Sequence, residues 1–267
     1  MPTNNPAAPD ESEAPTIQSL ARGLSVIRAF DAEHSHMPLS EVARRTGLTR
    51  ATARRILYTL ASLGYVATDG KEFSLKPRIL ELGYAYLSSL GLPEICMPHL
   101  ETLTAEVDES CSVAVLDGTD IFYVARVAKR RIMTVAINVG TRFPAHLTSM
   151  GRVLIAGLDD PDRADLLNQI DWTPRTHHTI TERRQLEAEL TTITDQGWAM
   201  VDQELEEGLR SIAAPLRNPD GRTIAAVNIS ASTRRGTPEI IQADLLPHLL
   251  KTASGIEHDL AAVAYQS

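Results

Sequence analysis

Ile17, Leu20, Leu24 and Ile27 recur at intervals of three and four, the period of an amphipathic helix, which the polar run DAEHSHMP (31–38) ends. SEVARRTG (40–47) predicts a short helix that packs through Val42 and Ala43, with Gly47 supplying a tight turn. Thr49 then serves as N-cap of another helix. At about 100° per residue, Ala53, Ile56, Leu57, Leu60 and Leu63 cover one side of it, while Arg50, Arg54, Arg55 and Tyr58 fan across the other. YVATDGKEFSL (65–75) reads as two short strands around an Asp69-Gly70 turn. Residues 77–91, opened by Pro77 and closed by Gly91, read as a helix linking two domains.

From Leu92 the rhythm becomes helix, strands, helices, strands, helix. CSVAVLDGTDIFYVARV (111–127) predicts a hairpin across Asp117-Gly118, RIMTVAINV (131–139) a third strand, and TSMGRVLIAGL (148–158) a helix. TERRQLEAELTTITDQG (181–197) has Thr181 as N-cap and Gly197 at its end. WAMVDQE (198–204) and SIAAPLRNPDGRTIAAVNIS (211–230), a hairpin through Asn218 to Gly221, add strands before a closing helix from Pro238 to about Ala264. An α+β chain follows, with an antiparallel sheet and helices segregated to its faces. The polar, proline-rich residues 1–15 show no apolar period and are expected to be a disordered arm.

Charge sharpens this picture. The chain of 267 residues carries −8, yet residues 16–78 hold ten Lys/Arg against five Asp/Glu, leaving −13 on the rest. One end is cationic and the other repels phosphate, which excludes indiscriminate coating of nucleic acid or anionic membrane. Cys96 and Cys111 have neither metal-ligand spacing nor a disulfide framework, as expected in a reducing cytoplasm. No apolar run spans a bilayer and no signal-peptide core opens the chain.

A glycine-turned helix pair, a hairpin wing and a local excess of cations form a winged helix-turn-helix over residues 16–76. Its candidate contacts to double-stranded DNA are Ser40, Thr49, Arg50, Thr52, Arg54, Arg55, Tyr58 and the wing's Lys71. Arginines there bridge to guanine edges or phosphates. Tyr58 has two readings, DNA contact or cap of the domain core. So few cations per copy predict a homodimer or homotetramer on a pseudo-palindromic or repeated site.

These motifs, with RGLSVIRAF (22–30), VGTRFPAHLTSMGRVLIAGL (139–158) and VDQELEEGLRSIAAPL (201–216), resemble the IclR family of transcriptional regulators from about Thr16 to Leu260. PRILELGYAYLSSL (77–90) and RRIMTVAINVGTRFPAH (130–146) are most similar to its subgroup controlling aromatic-acid catabolism through the β-ketoadipate pathway. The resemblance implies a winged helix-turn-helix, a linker helix over residues 77–91 and a GAF-like effector-binding domain over residues 92–264. Its effector would be a small organic acid, namely protocatechuate, 4-hydroxybenzoate or β-ketoadipate. By position it nominates His146, Thr148, Ser149, Met150, Asp202, Glu204, Ser211, Asn228 and Ser230 for the pocket. Many relatives have cysteine where Ser211 stands and serine where Asn228 stands.

The residues make chemical sense on their own terms. A helix starting near Thr148 offers free N–H groups and the positive end of its dipole to a carboxylate. Arg126, Arg142 and Arg152 are candidates for a second carboxylate, or for ion pairs outside the pocket. Asp202 and Glu204 would accept a ligand hydroxyl, pair with an arginine, or lie on the surface. Ser149, His146 and Asp202 invite a hydrolase reading, with the basic head as a targeting device, but TSMGR lacks the Gly-x-Ser-x-Gly elbow. HSH (34–36) and HH (177–178) lack further metal ligands, and no phosphate-binding glycine loop occurs. The expectation is a regulator rather than an enzyme, without metal or cofactor.

Overall fold

The computed structural model describes residues 16–31, 33–80, 82, 91–129 and 137–264. The chain forms two compact units, divided between Ala85 and Tyr86, inside the stretch read as a linker helix. The arm (1–15) lies outside the described residues, as do 81 and 83–90 of that linker and 131–136 of the expected third strand. Pro77–Leu80 form a 3-10 turn.

In the first unit, helices α1 (Gln18–Arg28), α2 (Leu39–Thr46) and α3 (Arg50–Ser62) pack with strands β1 (His36–Pro38), β2 (Val66–Thr68) and β3 (Glu72–Leu75). The strands form an antiparallel sheet in the order β1-β3-β2, so the wing gains a third strand too short for sequence periodicity to reveal. Gly47 takes a left-handed φ of 67°, which turns the chain between α2 and α3. Thr49 caps α3, its hydroxyl accepting from the Thr52 N–H. Val26, Met37, Val42, Leu57, Leu60, Val66 and Phe73 form the core. Two apolar assignments need correction. Ile17, Leu20 and Leu24 are exposed while Val26 turns inward, and Leu63 at the end of α3 is also exposed.

The second unit is built on an antiparallel six-stranded sheet, β6-β5-β4-β9-β8-β7, from β4 (Ser110–Asp117), β5 (Asp120–Val127), β6 (Arg142–Pro144), β7 (Ala199–Asp202), β8 (Leu209–Arg217) and β9 (Thr223–Ser232). One face is covered by α4 (Leu92–Val107) and α8 (Pro238–Ala264), whose leucines and isoleucines pack on Val113, Ile212, Val227 and Ile229. The other carries α5 (Ser149–Ala156), with α6 (Asp160–Asn168) and α7 (Arg183–Gln196) outside it. Ala114, Ala199, Ala213 and Ala226 lie on that second face, small enough to let α5 approach the sheet. Thr181 does not cap α7, which starts two residues later behind Glu182. No helix among the described residues is long and apolar enough to cross a membrane.

Candidate functional site

On α3, the face opposite the core carries Arg50, Arg54 and Arg55, all exposed and without a carboxylate partner among the described residues. Arg44 and Arg45, by contrast, pair with Glu41 and Asp31, so three of the five arginines in residues 39–66 keep an uncompensated charge. Of its two readings, Tyr58 takes the packing one, and its outer edge stays open to solvent. It is 46% exposed, its ring stands edge-on to Phe73 of β3, and the Arg54 guanidinium lies 5.4 Å from its centroid. Ser40 and Lys71 are exposed and Thr52 half-buried beside the cap. In the wing turn, the N–H groups of Glu72 and Lys71 donate to Asp69 and hold its carboxyl below the ordinary range.

The second unit holds a narrow recess between the sheet and α5. It is lined by Thr148, Glu204, Ser211, Asn228 and Ser230, with apolar walls from Ile137, Leu147, Val201, Leu205 and Leu209 and the ring of Tyr123. The strand register explains why these residues meet. Val201, Ser211, Ser230 and Ser110 form one cross-strand row, and Ala199, Ala213, Asn228, Ser112 and Arg126 the next. Thr148 begins α5 at the rim, its hydroxyl accepting from the Gly151 N–H. Ser149 is fully buried and donates to the Ser211 hydroxyl at 2.9 Å. The Asn228 Nδ2 donates to Ser230, while its Oδ1 is buried without a partner.

Beside the recess lies a buried ion pair. The Arg152 Nη2 donates to Glu204 Oε2 at 2.6 Å and its Nε to the His146 carbonyl at 2.9 Å. The Ile180 N–H donates to the same Glu204 oxygen.

Several nominated residues stand elsewhere. Arg142 sits over Phe122 and pairs with Asp120 and Asp117 on an edge strand, because its neighbours in the β4–β5 turn are acidic. Asp202 accepts both prongs of Arg210 at 2.9 Å, away from the recess. Met150 joins the apolar cluster under α5. His146 is buried near Trp172 with both ring nitrogens unpartnered, and burial pushes its imidazolium down to about 4, leaving it neutral. Arg126 donates to the Ser112 hydroxyl behind Asn228 instead of lining the recess. Ser149, His146 and Asp202 therefore bond to other groups or to none, and form no proton relay among the described residues. Sequence reasoning missed Tyr123, Ile137, Leu147, Val201, Leu205 and Leu209. Only the alternation along β5 and β7 hinted at two of them.

Residues 84–258 match the C-terminal domain of the bacterial transcriptional regulator IclR, and residues 19–70 match the IclR helix-turn-helix domain. The chain belongs to the IclR family. Within that family it is 42% identical over 245 residues to the Pca regulon regulatory protein of Pseudomonas putida, covering 91% of this chain and 84% of that protein. It is 34% identical over 247 residues to the p-hydroxybenzoate hydroxylase transcriptional activator of Acinetobacter baylyi, covering 91% of each. Its structure is also similar to that of a double mutant of the PobR inducer-binding domain from Acinetobacter in complex with 3-hydroxybenzoic acid. There the TM-score is 0.59 and the identity 29%, over 62% of this chain and 97% of that one. The IclR assignment accounts for both halves of the chain, a winged helix with free arginines and a sheet domain with a polar recess.

Proposed function

We propose that this IclR-family chain is a ligand-responsive, DNA-binding regulator of aromatic-acid catabolism, not an enzyme. The observation that carries the effector reading is the composition of the recess: apolar walls close around the hydroxyls of Ser211 on β8 and Ser230 on β9, beside Thr148 at the start of α5. A small aromatic acid needs that combination, a flat apolar slot and convergent donors for its carboxylate. Identity to the Pca regulon and p-hydroxybenzoate hydroxylase regulators supports the pathway. Protocatechuate, 4-hydroxybenzoate and β-ketoadipate are the acids to test.

On the DNA side, Arg50, Arg54 and Arg55 enter the major groove of a cytoplasmic operator, Tyr58 steadies Arg54 against the wing, and Ser40, Thr49, Thr52 and Lys71 contact the backbone. Two or four copies act on paired half-sites, and the exposed Leu20 and Leu24 of α1, with Ile17 at its N-cap, support pairing between copies. The effector shifts the regulator by binding one arrangement of the assembly more tightly than another.

Arg54→Ala is expected to weaken binding to the DNA upstream of the chain's own gene by about 1–3 kcal/mol in a gel-shift titration at fixed salt. Unchanged affinity and footprint would remove Arg54 from the interface. Ser211→Trp fills the recess from β8, and should reduce acid binding measured by calorimetry by more than about 100-fold while the operator affinity stays within about threefold. Undiminished acid binding by that variant would place the effector elsewhere.

A further inference from the structure

We infer that Glu204 makes the recess selective for acids carrying a hydroxyl donor, with Arg152 as the positioning residue that holds Glu204 in place. This rests on the reading above that the recess takes an organic acid. Glu204 is 6% exposed and lines the recess. Its Oε2 is occupied by the Arg152 guanidinium and the Ile180 N–H, whereas Oε1 has no hydrogen-bond partner among the described residues. A carboxylate oxygen only accepts, so whatever meets Oε1 must bring a proton.

The backbone around Glu204 is fastened as well. Thr179 donates to its carbonyl at 2.8 Å and Thr176 to the carbonyl of Gln203 at 2.7 Å. Gln203 itself takes a left-handed φ of 63° and accepts the Gly208 N–H on its side chain. The acceptor is thus fixed before any ligand arrives, and fixed groups discriminate well because little ordering remains to oppose them.

The opposite chemistry gathers around α5. Ser211 has a hydroxyl proton to give, and Asn228, 2% exposed with an unpartnered amide oxygen, can turn its amide so that Nδ2 faces the recess while Oδ1 takes the Ser230 hydroxyl proton. A ligand with an anionic end among these donors and a hydroxyl against Glu204 satisfies every group. A dicarboxylate does not. The charge of Arg152 is already matched by Glu204, so a second carboxylate there would meet a carboxylate oxygen unopposed. The recess therefore takes hydroxylated aromatic acids in preference to aliphatic keto diacids.

The test is calorimetric titration of the full chain with 4-hydroxybenzoate, benzoate, 4-methoxybenzoate and β-ketoadipate. Benzoate lacks the hydroxyl and the methoxy analogue cannot donate. Both should bind at least about tenfold more weakly than 4-hydroxybenzoate, the loss expected for a hydrogen bond to a charged group. The double variant Arg152→Leu/Glu204→Met removes both charges while keeping apolar bulk. It should bind benzoate and 4-hydroxybenzoate within about threefold of each other. Equal binding of benzoate and 4-hydroxybenzoate by the unaltered chain overturns the inference and leaves the effector reading standing. Retained preference in the double variant also overturns it. Should that variant not fold, the analogue series on the unaltered chain decides alone. Binding of none of these acids overturns the effector reading itself, and the role of Glu204 with it.

Discussion

Gly151→Ala is expected to destabilise the C-terminal unit by about 3 kcal/mol or more, although alanine is the better helix former by about 1 kcal/mol. Gly151 lies in the first turn of α5, and a Cβ there would stand 2.1 Å from the Ala145 carbonyl oxygen and 2.4 Å from the Ala145 Cα. Those are backbone atoms, so no side chain can swing aside. The Ala145 carbonyl is also held by the Thr148 N–H and hydroxyl, which tightens the turn leading into the helix. Relief would require lifting α5 from the turn and disturbing the recess with it. Gly23 in α1 is the control, since a Cβ there meets nothing within 4 Å and Gly23→Ala should stabilise the first unit by up to about 1 kcal/mol. Thermal denaturation followed by circular dichroism compares the two. A Gly151→Ala protein melting within a degree or two of the parent would show that the close approach of Ala145 is not a constraint in solution.

The second large effect is expected at Arg152. Replacing it alone by methionine leaves the Glu204 carboxylate buried with only the Ile180 N–H for compensation, at a cost of about 3–5 kcal/mol. Removing both charges together is expected to be near neutral, because the desolvation of two ions is recovered along with the loss of their attraction. Denaturant unfolding of Arg152→Met, Glu204→Met and the double variant closes a mutant cycle. Strong coupling of opposite sign to the single losses is the expected result, and simple additivity would mean that the pair is not a unit.

The DNA-binding half was legible in the sequence because its signals are local. A capping threonine, a turn glycine and a 3.6-residue period act within a few positions, and Thr49, Gly47, Ala53, Leu57 and Leu60 stand in those roles in the structure. Where the same rule failed, at Ile17, Leu20 and Leu24, the apolar stripe is real but is not the face that packs. Periodicity reports that a face exists, not what covers it.

The recess was legible only in part. The start of α5 and the polar positions of β8 and β9 follow from pattern, but which arginines and acids attend them does not. Asp202 and Glu204 illustrate the limit. Two residues apart on an extended strand they would share a face, yet β7 ends at Asp202 and the left-handed Gln203 reverses the alternation. Asp202 then goes to Arg210 and Glu204 to Arg152.

What the residues alone determine here is the kind of object: most helices and strands in order, a cationic helix face and a helix start capped by Thr148. Those depend on neighbours in the chain, whose spacing is built into covalent geometry. Tertiary structure decides which charges stay free. Arg44, Arg45, Arg126, Arg142, Arg152 and Arg210 are all bound to partners of the protein's own, while Arg50, Arg54 and Arg55 have no carboxylate partner among the described residues. The reason is that a long side chain's partner is set by whatever the fold brings within about 4 Å, and most such partners lie far away in sequence.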